Sequence, residues 1–269
     1  MTNEPGTQDA PTRDARNEDA AASEEPTPDT RKPRAAQLLA AYDEQLRTDS
    51  ETPSAVAVTR LGPLRLVTFA GGRGFVTYRD LDGADAPRIR DLVAGARAHF
   101  EADPAIPRVE WKTRRHEHAP GLDDALRASG FVPDDPESIM IGEAAALAVD
   151  VELPAGATLR RITAEPEVRA LTAMQDEAFG DPPSEEMAEA VLARLARADG
   201  MELWAVEVDG RFVSAGRLEP VPGTAFAGIW GGATLEPWRG RGLYRALTAA
   251  RARSALAAGK TLIHSDSTE

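Results

Sequence analysis

The chain contains no cysteine, and only three of its 269 residues are lysine, namely Lys32, Lys112 and Lys260. Without cysteine it has no disulfide, no thiol nucleophile and no cysteine-ligated metal site. No apolar run approaches the ~20 residues that span a membrane. The N-terminus has neither the basic start nor the apolar core of a secretory signal. These absences predict a cytoplasmic protein without a membrane partner.

Negative charge predominates, because 44 Asp and Glu residues stand against 31 Lys and Arg residues, which gives a formal net charge of −13 at pH 7. Such a charge repels a polyanion at long range, which argues against nucleic acid as a partner. The same field tolerates a cationic substrate such as an amine. Apolar residues make up 42% of the chain, which is enough for the core of one large domain or two small ones.

Composition divides the chain into four segments. Residues 1–33 contain almost nothing large and apolar, so they are predicted to be a disordered acidic tail. Residues 34–150 mix strand-like and helix-like patterns and form a first predicted domain. Residues 151–157 contain a proline and a glycine, as is typical of a linker. Residues 158–269 form a second predicted domain with a clearer pattern.

The first domain is predicted to open with a docking helix at 34–48. The strands and helices predicted after it are Ser54–Thr68 (strand), Phe75–Tyr78 (strand), Ala86–Phe100 (helix), Arg108–Trp111 (strand), Leu122–Ala128 (helix) and Ser138–Leu147 (closing strand). The glycine-rich run at 71–74 leads into a strand and not a helix, so it is predicted to be a turn.

The second domain has the predicted order strand, helix, helix, three strands, helix, strand. Its elements are Thr158–Ile162, Glu165–Phe179, Ser184–Ala198, Leu203–Val208, Arg211–Leu218, Thr224–Leu235, Gly242–Ala258 and Thr261–His264. The last strand–helix–strand unit predicts a right-handed parallel crossover, with its loop at the carboxyl edge of the sheet. Open α/β sheets bind ligands at that edge.

The loop of this crossover is rich in arginine and glycine and reads Thr-Leu-Glu-Pro-Trp-Arg-Gly-Arg-Gly-Leu-Tyr-Arg over residues 234–245. Backbone amides at a glycine-rich helix start bind phosphate oxygens, so the loop predicts a phosphorylated cofactor. A dinucleotide fold would need a third glycine, where Arg245 stands, and a P-loop would need a lysine. A turn with solvated arginines is the remaining alternative.

The run from Arg239 to Tyr244, preceded by Pro237 and followed by a helix, resembles the GNAT superfamily of acyl-CoA N-acyltransferases. The family motif Arg/Gln-x-x-Gly-x-Gly/Ala is matched at Arg239 and Gly242, while Tyr244 stands where the family prefers glycine or alanine. The resemblance covers residues 158–269. It implies an α/β (mixed α+β) fold, in which helices flank a central, mixed and splayed sheet.

The resemblance also implies that acetyl-CoA is the co-substrate. Its pyrophosphate would lie on the loop, and its pantetheine arm would pair with the end of the preceding strand. The cofactor-binding residues implied in this way are Ala233, Thr234, Leu235, Arg239, Gly240, Arg241, Gly242, Leu243, Tyr244 and Arg245.

The catalytic residues are less well defined. The backbone amide of Leu235 occupies the family's oxyanion-donor position. The strand 224–235 lacks the glutamate base of many relatives, which leaves Glu177 and Asp181 as candidates that could act through water. The family's general acid, a tyrosine in a helix after the fifth strand, has no counterpart before Glu269, so the general acid is unknown. Ser265 and Ser267 lie near its place, but a hydroxyl of serine is a poor acid.

The chain ends where a family domain would add a helix and two strands, so we expect residues lost beyond Glu269 to cover the edge of the last strand. Two other possibilities are that a partner chain covers this edge, or that residues 55–150, whose final elements have the order in which such a domain ends, complete the sheet. We interpret that segment as a degenerate GNAT-like unit. The predicted protein is therefore a tandem GNAT-like protein.

The leading prediction is N-acetyl transfer from acetyl-CoA to a small-molecule amine, by direct attack in a ternary complex. The alternative is a non-catalytic acyl-CoA sensor or interaction module. No metal is predicted, because His116 and His118 have no third ligand close by. The acceptor and the oligomeric state are left open.

Overall fold

The computed structural model describes residues 31–268. The predicted disordered tail, residues 1–33, lies outside the described residues except for 31–33, which begin the first helix. The elements of the N-terminal half are α1 (Arg31–Gln45), β1 (Ala55–Leu61), β2 (Leu64–Phe69), β3 (Arg73–Thr77), α2 (Ala86–Glu101), β4 (Arg108–Trp111), α3 (Leu122–Ala128), β5 (Glu137–Glu143) and α4 (Ala144–Leu147). None of the described helices is long and apolar enough to cross a membrane.

Two predicted strands of this half need correction. The single strand over Ser54–Thr68 is wrong, because the chain turns back at Gly62, whose φ of 57° is left-handed, and forms the hairpin β1–β2. The closing strand also ends at Glu143, where α4 begins.

The C-terminal half follows the predicted order of elements closely. Its elements are β6 (Ala157–Ile162), α5 (Glu165–Phe179), α6 (Glu185–Leu195), β7 (Glu202–Val208), β8 (Arg211–Pro220), β9 (Phe226–Thr234), α7 (Leu243–Ala257) and β10 (Leu262–Thr268). The helix α5 ends at Gly180, which is left-handed with φ of 81°. The strand β10 is longer than predicted and continues past His264.

The strands form two sheets. The first has the order β1-β2-β3-β4, and the second has the order β5-β10-β9-β8-β7-β6. The strand β5 therefore leaves the half of the chain that precedes it and pairs antiparallel with the whole of β10, from Glu143 opposite Leu262 to Glu137 opposite Thr268. The expectation that lost residues must cover the edge of β10 is wrong, because β5 covers it.

The two halves pack directly on one another. Tyr42 of α1 contacts the ring of Phe226 edge-on, with 6.5 Å between the centroids. Gln45 accepts a hydrogen bond from the amide of Ala225 at 2.8 Å. These contacts hold α1 against the start of β9, close to the site described next.

Candidate acyl-CoA site and the pocket behind it

The strands β9 and β10 separate to form a fork. They pair in parallel only through Leu262–His264, which lie opposite Phe226–Gly228. Beyond this point β10 continues with β5 and β9 continues with β8. A register shift between β8 and β9 falls where Gly231 has a φ of 57°, which is a bulge that turns β9 away from β10. The fork opens the sheet at its carboxyl edge, as the splayed sheet of the resemblance predicts.

The loop after β9 leads into α7, whose start is open. Gly240 and Gly242 have φ of 74° and 80°, which is the left-handed region that favours glycine. Within residues 31–268, no side chain caps the first turn of α7 and no acidic residue lies in it. The first amides of a helix have no intrahelical acceptor, so those of α7 remain available to an anion.

The arginines of the loop have different roles. Arg239 donates to the carbonyl of Thr234 at 3.0 Å and to that of Ala178 at 3.3 Å, so it ties the loop to β9 and to the end of α5. Arg241 lies over the ring of Trp238 with 4.8 Å between the guanidinium carbon and the centroid. Arg245 is exposed in the first turn of α7. The structure thus brings the predicted cofactor-binding residues 239–245 together around one helix start.

The backbone of β9 requires a correction at Leu235. Its amide donates to the carbonyl of Val213 on β8 at 3.0 Å, so this amide is used within the sheet and faces away from the fork. Peptide groups alternate along a strand, and Ala233 pairs with Ala215 of β8. The residues whose amides face the fork are therefore Gly232 and Thr234, and Leu235 is not placed as an oxyanion donor.

Tyr244 lies against Gly232 at the mouth of the fork. A Cβ atom at Gly232 would be 2.5 Å from the Tyr244 ring and 2.7 Å from its hydroxyl oxygen, so only glycine fits beneath this side chain. The guanidinium of Arg251 lies 5.7 Å from the centre of the same ring.

Arg251 is fully buried within α7, with 0% of its surface exposed. It donates to the carbonyls of Arg217 and Leu247, and no carboxylate of the described residues pairs with it. Burial lowers the pKa of Arg251, and the neighbouring Tyr244 opposes that change. A tyrosine hydroxyl and a buried cation therefore meet beside the backbone that faces the fork.

The sheet face opposite α7 holds a cavity of about 600 Å³. Ile263 packs with Ala255 of α7, and side chains alternate along a strand, so His264 and Asp266 face the cavity. We call this cavity the shared pocket, because both halves line it: Tyr42, Phe69 and Lys112 come from the first half, and Trp230, His264 and Asp266 from the second.

His264 is held by aromatic rings. Its centroid lies 5.2 Å from that of Trp230, 5.8 Å from that of Phe226 and 6.1 Å from that of Tyr42. In the part of the chain that the structure describes, neither ring nitrogen has a hydrogen-bond partner. Burial lowers the pKa of His264 to about 4, although Asp266 opposes the shift, so the imidazole is neutral at pH 7.

Asp266 has one oxygen in use and one without a partner. Its Oδ2 accepts from Nζ of Lys112 at 2.9 Å, which links β10 to the residue that follows β4. Its buried Oδ1 has no partner among the described residues. Burial lowers the pKa of Lys112, but the carboxylate of Asp266 outweighs it, so the pKa lies above its usual value and Lys112 stays charged.

The predicted base candidates lie elsewhere. Glu177 is exposed and pairs with Arg211 at 2.7 Å, and Asp181 is an exposed residue just after α5. Neither lines the shared pocket. Ser265 donates across the base of the fork to the carbonyl of Ile229 at 2.9 Å, which is a structural bond. Ser267 lies farther along β10 and also makes an interaction.

The N-terminal half contains the same strand–helix–strand unit in closed form. The carboxylate of Asp85 caps α2 by accepting from the amide of Arg88 at 2.9 Å, so it occupies the place where an anion would bind. The strands β3 and β4 stay paired from Arg73 onwards, and the amide of Lys112 extends the ladder to Val76. Within the described residues, this β3–α2–β4 unit has neither a fork nor an uncapped helix start.

The pocket residues His264, Asp266, Lys112 and Trp230 were not selected from the sequence. His264 and Asp266 alternate on one strand, which was a detectable signal, but the predicted strand stopped at His264. Lys112 joins them only through the packing of the two halves. Among the described residues, no group of three His, Asp or Glu side chains is placed to hold a metal, and His116 bonds to Asp43 at 3.0 Å.

Comparison with known proteins agrees with this geometry. Residues 143–264 match the family described as Acetyltransferase (GNAT) domain. A GCN5-related N-acetyltransferase from Kribbella flavida is 20% identical with a TM-score of 0.59 over 87% of this chain and 85% of its own. A second one, from Sphaerobacter thermophilus, is 17% identical with a TM-score of 0.57 over 87% and 83%.

A tandem GNAT protein from the clavulanic acid biosynthesis pathway is 15% identical, with a TM-score of 0.55 over 87% of both chains. No curated protein sequence matches the chain significantly. Residues 143–264 are therefore similar to a GNAT acetyltransferase domain, and the whole chain has a tandem GNAT-like fold.

Proposed function

We propose that the chain transfers an acetyl group from acetyl-CoA to the amine of a small molecule. One observation carries this proposal: an open fork between β9 and β10 is joined directly to an uncapped, glycine-rich helix start. The fork exposes backbone amides to a peptide-like arm, and the helix start offers amides to a pyrophosphate. The match of residues 143–264 to the acetyltransferase domain family supports acyl transfer in general.

The chain's residues fit coenzyme A in the following way. The amides of Gly240, Gly242 and the first turn of α7 would hold the pyrophosphate, and Arg241 and Arg245 would add positive charge. The outward-facing amides of Gly232 and Thr234 would hydrogen-bond the pantetheine arm and the thioester carbonyl. This placement replaces Leu235 as the oxyanion donor, because the Leu235 amide is already bonded to β8.

Tyr244 is proposed as the proton donor to the leaving thiolate. Its hydroxyl lies over Gly232, one of the two residues whose amides face the fork. The buried guanidinium of Arg251 beside it holds positive charge near a site where negative charge develops on sulfur. The tyrosine thus explains why this position of the motif departs from glycine or alanine.

Free thiol released from acetyl-CoA, measured over a panel of small amines, tests the proposal, and mass spectrometry should identify an acetylated amine. The expected result is amine-dependent thiol release. Tight coenzyme A binding without turnover on any amine would contradict the proposal and would favour a non-catalytic acyl-CoA sensor.

A further inference from the structure

The deep end of the shared pocket carries polar atoms that have no partner. Both ring nitrogens of His264 and the Oδ1 atom of Asp266 are buried and make no hydrogen bond with any described residue. Burying a polar atom without a hydrogen-bond partner is unfavourable, because the atom loses its bonds to water and gains none in return. Three such atoms on one side of β10 therefore offer unused hydrogen bonds to a ligand in the pocket.

The charges around the pocket indicate which ligand fits. Most charged groups of its wall already compensate one another: Glu219 pairs with Arg217 at 3.0 Å, and Arg194 pairs with Asp199 at 2.8 Å. The cation nearest to Asp266 is Lys112, whose Nζ already donates a hydrogen bond to the Oδ2 atom of Asp266. What remains is a carboxylate oxygen and a neutral imidazole, which bind an N–H donor and reject an anion.

The other residues that line the shared pocket indicate what the rest of the ligand is like. Tyr42, Phe69, Trp230 and Val221 line the cavity with apolar and aromatic surface. A volume of about 600 Å³ is typical of a site that binds a small molecule.

We propose that the shared pocket binds the acceptor, a compact primary amine with an apolar or aromatic body, and that Asp266 and His264 hold its amino group at the fork. This inference rests on the proposed acetyl transfer. The helix α7 lies on one face of the sheet and the shared pocket lies on the other, so the fork between β9 and β10 connects the two sides.

The proposed acetyl transfer moves two protons from the amine and one proton to the thiolate. The bound ammonium first gives one proton to water. The nitrogen of the neutral amine then forms a bond to the thioester carbon while the carbon–sulfur bond breaks. The second proton of the amine passes to Asp266, and the thiolate receives a proton from Tyr244. Water restores both groups after the amide and the free thiol leave.

Two variants of the full chain test the inference. Asp266→Asn keeps the shape of the side chain and removes its charge, while Pro222→Trp obstructs the pocket wall far from the fork. The matched control is Asp199→Asn, at a carboxylate of the same pocket that pairs with Arg194. Binding of phenethylamine, spermidine and glutamate is measured by calorimetry without cofactor. Thiol release is measured separately, and thermal melting confirms that each variant is folded.

We expect phenethylamine to bind more tightly than spermidine and glutamate. Asp266→Asn and Pro222→Trp should each weaken its binding about ten-fold or more, while Asp199→Asn changes it less than about two-fold. Preferred binding of glutamate, or equal binding to the wild-type chain and both pocket variants, overturns the inference. If phenethylamine binds in this way but no amine of the panel is acetylated, the pocket assignment stands and the proposed function fails.

Discussion

At the scale of single residues, Tyr244 departs most clearly from the pattern around it. Glycine or alanine at this position would leave space over Gly232, whereas the tyrosine hydroxyl fills it. Arg251 lies behind the ring with no carboxylate partner among the described residues. Burying a cation lowers the stability of the folded state unless it is compensated. We therefore infer that Arg251 is kept beside the Tyr244 hydroxyl for a functional reason.

The first prediction follows from the role proposed for Tyr244. Tyr244→Phe keeps the ring over Gly232 and removes the hydroxyl, so kcat should fall about 100-fold, as is typical when a general acid is lost. The affinity for coenzyme A, measured by calorimetry, should change little. Arg245→Ala, one position further on, serves as the comparison and should weaken cofactor binding while kcat is nearly unchanged. An undiminished kcat in Tyr244→Phe would contradict the role.

The second prediction concerns His264 and pH. Its pKa is about 4 in the folded state and 6.5 in the unfolded chain, so the unfolded state binds more protons between these values. The free energy of unfolding should therefore fall as pH drops from 6.5 to 4, by about 3 kcal/mol in total from this residue. Urea unfolding at several pH values measures this change in the free energy of unfolding. His264→Gln should flatten the curve in this window, and an unchanged slope in the variant would contradict the assignment.

At the scale of elements, the helices and strands with strong local signals were predicted within a few residues. The strand β4, the helix α3 and the helix α5 have the predicted bounds. Their apolar periodicity and flanking glycines are local features. The β1–β2 hairpin was missed because Gly62 was not recognised as a turn within an otherwise continuous strand pattern.

Features that depend on distant contacts could not be predicted in the same way. The pairing of β5 with β10 joins residues more than 100 positions apart, so no local pattern encodes it. The orientation of the Leu235 amide depends on the bulge at Gly231, which shifts the alternation of β9 by one residue. The loop 239–245 could be placed from sequence, while the pocket residues required the packed halves.

The third prediction tests which face of β5 is buried in the fold. Ile141 packs toward the cluster of Tyr42, Leu46 and Phe226, whereas Met140 on the opposite face is 51% exposed. Ile141→Asp should lower the free energy of unfolding by about 2–4 kcal/mol, because it removes apolar burial and places a carboxylate among aromatic rings. Met140→Asp, the control, should change it by less than about 1 kcal/mol. Equal effects in urea titrations would show that β5 is not seated as described.

At the scale of the whole molecule, the two GNAT-like halves differ in the features that could form a cofactor site. The C-terminal half has the fork and the open start of α7. The N-terminal half has the capped helix α2 and unbroken pairing of β3 with β4, but it supplies β5 and part of the pocket wall. We therefore expect a single coenzyme A site per chain, although the GNAT-like unit occurs twice.

The most direct test of this account is a calorimetric titration of the full chain with coenzyme A. It should give one site per chain, and Gly242→Asp should abolish binding by placing a carboxylate at the start of α7. Gly259→Asp is the matched control, because Gly259 has a similar left-handed φ of 74° with open space around it, at the other end of α7. It should bind as the wild-type chain does. Unchanged affinity in Gly242→Asp, or two sites per chain, would contradict the central claim.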